Sequence, residues 1–115
     1  MKTLITALGL AFSSMAAQAA QPVDNYANQA IASGQYAVAE TKLMQRLLVA
    51  PADQPALINL GHVYRHTNRT AAANVAYQRV LSRSNVRLTA VDGRPVWSHD
   101  LARAGLGGTV ELAMR

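Results

Sequence analysis

His62 and His66 stand four residues apart, a spacing that lets two imidazoles on one helix face share a metal ion. A zinc site needs a third ligand and usually a fourth. The chain offers one further histidine, His99, no cysteine, and no glutamate beside the pair to act as a base. The pair is therefore expected to line a binding groove, with no metal and no other cofactor. Ser33, Ser82, Ser84 and Ser98 fall at breaks or caps, and none sits in a Gly-x-Ser-x-Gly elbow. The carboxylates Asp24, Glu40, Asp53, Asp92, Asp100 and Glu111 are scattered, and several stand where turns and helix caps want them. Gly105, Gly107 and Gly108 follow a helical pattern instead of leading into one, so they make no phosphate cradle. No catalytic apparatus is visible, and a non-enzymatic role is expected.

Charge is the other chemistry on offer. Arg65, Arg69, Arg79, Arg83 and Arg87 all lie between Gln54 and Val91, a stretch without a single carboxylate. Arg79 and Arg83 share a helix face by their spacing. Such an uncompensated block suits an acidic protein, an anionic envelope polymer or a lipid headgroup. Trp97, the only tryptophan, is expected to plug the core.

The N-terminus sets the expected compartment. Lys2 supplies a positive start, Leu4 to Phe12 is uncharged and largely apolar, and Ser13 to Ala20 is rich in small residues. Ala17-Gln18-Ala19 fits the rule for signal-peptide cleavage, which predicts a leader over 1–19 with cutting after Ala19. The apolar run falls short of the roughly 20 residues that span a bilayer. A periplasmic or secreted protein is expected, so nucleic acid is not an expected partner. Ten basic against six acidic residues remain after the leader, a formal charge of +4. Without cysteine there are no disulfide staples and no lipid-anchored N-terminus.

The remaining elements are mostly helical. Helical patterns run over Asn25 to Ala32, Tyr36 to Val49, Gln54 to His66 and Thr70 to Ser82, separated by Ser33-Gly34-Gln35, Ala50 to Asp53 and Thr67-Asn68-Arg69. Asp53 is placed to cap the third helix, and Pro55 is tolerated in its first turn. Leu43, Leu47 and Leu48 give the second helix its apolar stripe. Leu57, Leu60, Gly61 and Tyr64 do so for the third, and Ala73, Ala76, Tyr77, Val80 and Leu81 for the fourth. Val86 to Val91 alternates at period two, Asp92-Gly93 signals a hairpin turn, and Arg94 to Trp97 returns. Ser98 reads as the cap of a short helix from His99 to about Ala104, and Thr109 to Met114 could add a strand.

The helices repeat. Ala27 is matched by Gly61, Gly34 by Asn68, Ala39 by Ala73, Leu43 by Tyr77 and Leu47 by Leu81, each 34 residues on. Leu57, Leu60-Gly61, Tyr64, Ala73 and Tyr77 carry the spacing of the tetratricopeptide repeat (TPR), a helix–turn–helix unit of about 34 residues. The chain from about Ala20 to Asn85 resembles two such units. The first departs from the pattern: Ala30 replaces a tyrosine and Arg46 a small residue, while Asn85 replaces the closing proline of the second. Small residues at 27, 39, 61 and 73 have a physical reason, since they let helices approach closely where they cross. The expected fold is mainly α, with a leader over 1–19, two antiparallel TPR-like helix pairs over 20–85, and a β-hairpin and short-helix cap over 86–115.

The resemblance also implies a surface. In the family the first helix of each pair lines a concave groove. The matching positions are Asp24, Asn25 and Asn28, then Ile58, Asn59, His62, Arg65 and His66. Asn28 and Asn59 resemble two asparagines with which some members hold a peptide's terminal carboxylate, although the lysines of that clamp are missing and Asp24 occupies one relevant position. The implied function is an adaptor or scaffold that binds a peptide or envelope protein. The alternative is a binder of anionic polymer or membrane surface through the Arg65–Arg87 block. Two repeats leave an apolar end, so a homodimer is a further expectation.

Overall fold

The computed structural model describes residues 24–108. The expected leader and the possible strand over Thr109 to Met114 lie outside them. The described residues form five helices and one two-stranded sheet: α1 (Asn28–Ala32), α2 (Tyr36–Val49), α3 (Gln54–His66), α4 (Thr70–Leu81), β1 (Arg87–Thr89), β2 (Pro95–Trp97) and α5 (Ser98–Leu106). The fold is mainly helical, with successive helices in contact and α5 touching both α3 and α4.

Local chemistry sets the ends. Ala50 precedes Pro51 and leaves the helical region, with φ of −132° and ψ of 81°, which closes α2. Asp53 then accepts the Ala56 N–H and opens α3, with Pro55 in the first turn. α1 starts three residues later than the sequence suggests. The Asp24 carboxylate accepts the N–H groups of Asn28 and Gln29 at 2.8 and 3.0 Å, so Asn25 and Tyr26 are spent on the turn that carries this cap.

Two helix ends are copies of each other. After α1, the Gln35 N–H donates to the Ala30 carbonyl and Gly34 N–H to Ile31; after α3, Arg69 donates to Tyr64 and Asn68 to Arg65. Each bond recurs 34 residues on, and both are the paired bonds of a Schellman turn. That turn needs a left-handed residue, and Gly34 and Asn68 supply it with φ of 73° and 60°.

α3 is the central rod, with nine of its thirteen residues buried. One apolar cluster joins Leu57 and Ile58 of α3 to Ala73, Tyr77 and Val80 of α4 and to Leu101 and Ala102 of α5. The other joins Ala56, Leu60 and Val63 to Ala39 and Leu43 of α2 and to Ala27, Ala30 and Ile31 around α1. The small residues at 27, 39, 61 and 73 are all buried. The Tyr77 ring lies between two glycines: a Cβ on Gly61 or on Gly105 would strike it. Gly105 stands in α5 where Gly61 stands in α3, and Leu101 and Ala102 match Leu57 and Ile58 at the same offset of 44. Both glycines thus make room for the same ring, and the strands β1 and β2 are a detour between α4 and α5.

Three expectations fail here. Leu48 is 83% exposed because α2 is covered on the Ala39–Leu43 side only. Trp97 is 45% exposed at the edge of the hairpin, its ring 6.0 Å from the Arg87 guanidinium, and does not plug the core. Ser98 begins α5 instead of capping it. The Asn85 side chain takes over the cap by accepting the His99 N–H at 3.1 Å, while the Ser98 hydroxyl accepts the Val86 N–H.

Candidate functional site

Asp24 is spent at the start of α1, and the other seven residues expected along a groove do not form one open face. Ile58 is 1% exposed, covered by Leu101 and Ala102 of α5, and belongs to the core. Asn59 is fully buried, and its Nδ2 donates to the Tyr26 carbonyl at 2.9 Å and to Asn28 Oδ1 at 3.3 Å. The asparagine pair that resembled a carboxylate clamp is thus a bracket between the α1 region and α3. His62 is also buried, its ring 4.3 Å from that of His66, which is exposed and stacks on Tyr36 at 5.3 Å. Arg65 turns inward and donates to the Gly105 carbonyl at 2.6 Å. Burial raises the Tyr77 phenol pKa, and nearby Arg65 opposes that rise. Asn25, Asn28, Arg65 and His66 keep some exposure; Ile58, Asn59 and His62 are corrected to core positions. The sequence shows these residues on one side of a helix but not that α5 and the α1 turn cover that side.

The arginine block is divided in the same way. Arg69 forms a two-bond ion pair with Glu40 of α2, and that hydrogen bonding holds the Glu40 carboxyl below its ordinary pKa. Arg79 donates to the Pro51 carbonyl at 3.0 Å, and Arg87 faces Trp97. Arg83 offers its backbone carbonyl to His99 Nε2 at 2.7 Å. Arg65 is thus held by α5, Arg69 by α2 and Arg79 by the turn after α2, whereas the Arg83 and Arg87 side chains form no ion pair among the described residues. The carboxylate-free stretch misled because its counter-ion, Glu40, comes from 29 residues away. Arg46, the odd residue of the first unit, pairs with Asp53 at 2.7 Å, which raises its pKa.

A different surface emerges between α2 and α4. An open groove of about 470 Å³ has Met44, Leu47 and Leu48 on one wall and Ala72, Val75 and Ala76 on the other. Leu60 and Tyr64 of α3 form its floor, and Arg79 closes one edge. Sequence reasoning placed Leu48 in the core and passed over Val75. The available signal was an excess: Met44, Leu48 and Val49 are more apolar surface than one buried stripe on α2 can use.

Among the described residues no three His, Cys, Asp or Glu side chains are grouped to hold a metal ion, and no helix is long and apolar enough to cross a membrane. No protein-family profile matches the chain, nor does any curated protein or solved structure.

Proposed function

We propose that the chain is a TPR-like interaction module, exported by its leader, that recognises a peptide segment or envelope protein without covalent chemistry. The observation that supports this most is the duplicated Schellman turn at a separation of 34 residues, with small residues buried at matching positions in both units. Stacked helix pairs of that period are built to present extended surfaces to other chains. On the first-helix face the contact residues are Asn25, Asn28, Arg65 and His66, the ones not committed to the core. No cofactor enters this reading. A second reading keeps a foothold because Arg79, Arg83 and Arg87 form no ion pair among the described residues. On that reading the chain would hold an anionic polymer or membrane surface.

Salt separates the two. Peptides selected from a displayed random library on the intact chain should still bind at about 0.3 M salt, because apolar contacts persist where exposed charge pairs are screened. Vesicles of phosphatidylglycerol should not cosediment with the chain. Vesicle binding that disappears over the same salt range, with no peptide enriched, would reject the interaction-module reading. Sedimentation of the free chain tests the homodimer: a single monomeric species at high concentration removes it.

A further inference from the structure

Met44, Leu48 and Val75 are 48, 83 and 61% exposed, and all three wall the groove between α2 and α4. Large apolar side chains gathered in one concavity mark a binding surface, whereas scattered ones do not. The volume of about 470 Å³ falls within the range of about 300–1,000 Å³ that holds several side chains of a ligand. Polarity changes along the groove. Arg79 stands at its edge, exposed and steadied by its bond to the Pro51 carbonyl, with further N–H donors to spare. Arg83 does not line the groove; it follows four residues later, just past the end of α4, also exposed and outside every described ion pair.

We infer that this groove docks an amphipathic helical segment of an acidic partner protein, with apolar side chains between α2 and α4 and carboxylates at the Arg79–Arg83 end. It rests on the interaction-module reading and adds a surface that reading does not use. Charge decides the occupant. A second copy would bring arginines against arginines, and the carboxylates of its described residues are already engaged. Glu40, Asp53, Asp92 and Asp100 each face an arginine of their own chain, and Asp24 is bound to the α1 backbone. A bilayer is flat, whereas this surface is an open trough between α2 and α4 with α3 as its floor. An amphipathic helix fits such a trough through residues three and four apart.

The test selects displayed random peptides of about 15 residues, some four helical turns, on the intact chain and measures the enriched peptides by fluorescence anisotropy. Enriched peptides should share apolar residues at helical spacing and acidic residues toward one end. Leu48→Asn with Val75→Asn should weaken them by about tenfold or more, since two apolar contacts are lost. Arg79→Glu with Arg83→Glu should do likewise and restore binding to peptides whose acids are exchanged for lysine. All four positions are exposed, so circular dichroism should be unchanged. Binding lost instead with Asn25→Ala or His66→Ala, both exposed, would place recognition on the first-helix face, overturning the groove while sparing the module. Self-association abolished by Leu48→Asn with Val75→Asn would make the occupant a second copy and overturn the acidic partner. No enrichment at all, with or without binding to phosphatidylglycerol vesicles, overturns both the groove and the module.

Discussion

Replacing Gly61 by alanine tests the packing on which the fold depends. The added Cβ would lie 2.6 and 2.7 Å from two carbons of the Tyr77 ring, against an optimum of about 3.5–4.0 Å between carbons. The ring cannot slide away, because Gly105 of α5 holds its other neighbour position equally closely. Overpacking of this kind costs about 1–3 kcal/mol, and alanine returns about 0.8–1.0 kcal/mol through helix propensity. A net loss of up to about 2 kcal/mol follows, which for a small domain lowers Tm by up to about 15 °C. The sign should reverse once the ring is gone. In the first unit the same two positions hold Ala27 and Leu43, both fully buried in one cluster. On a Tyr77→Leu background, Gly61→Ala should therefore raise Tm by a few degrees, leaving a coupling between the two sites of about 2 kcal/mol. Thermal unfolding followed at the helical ellipticity minimum reads all four corners of the cycle. Equal destabilisation by Gly61→Ala in both backgrounds, or stabilisation of the wild type, would show that the glycine does not make room for the tyrosine.

Other perturbations address separate contacts. The folded Glu40 pKa lies below its ordinary value of 4.5, so its stabilising effect is complete above that pH and is lost as pH falls through the lower folded value. The urea midpoints of wild type and Glu40→Gln should differ at pH 6 and converge at pH 3; a gap that persists at pH 3 would remove the ion pair as its cause. Asn59→Leu deletes the bracket to Tyr26 and Asn28 and leaves buried acceptors unmet, at about 1–3 kcal/mol. Hydrogen exchange should quicken across 26–32 before the rest of the chain, and uniform loss of protection would contradict the bracket. Gly34→Ala meets nothing within 4 Å yet should cost about 1 kcal/mol for its left-handed backbone. Asn68→Gly should gain a few tenths, and opposite shifts in Tm would refute the turn assignment.

How much of this was legible follows from the range of the interactions. α2 and α3 run between the residues that periodicity, Pro51 and Asp53 indicate, and α4 stops one residue short of Ser82. These limits are set by neighbours in the chain. The hairpin turn at Asp92-Gly93 is local too, and β1 pairs antiparallel with β2 as Arg87 with Trp97 and Thr89 with Pro95. What sequence could not supply was coverage. Ile58 and Asn59 look like an accessible helix face until α5 and the α1 turn close over it, and Leu48 looks buried until no helix arrives to bury it. Arg69 looks uncompensated until the fold brings in Glu40. In each case the deciding partner lies tens of residues away, where spacing carries no information.

The detour between α4 and α5 has a consequence for anyone wishing to handle this molecule. Val91, Asp92, Gly93 and Arg94 project from the tip of the hairpin into solvent, and Gly93 turns there with φ of 86° and open space around it. Extra chain length closes such a loop at an entropic cost that grows only logarithmically. A fluorophore or affinity tag spliced in at that corner would ride outside the helices and leave their packing undisturbed.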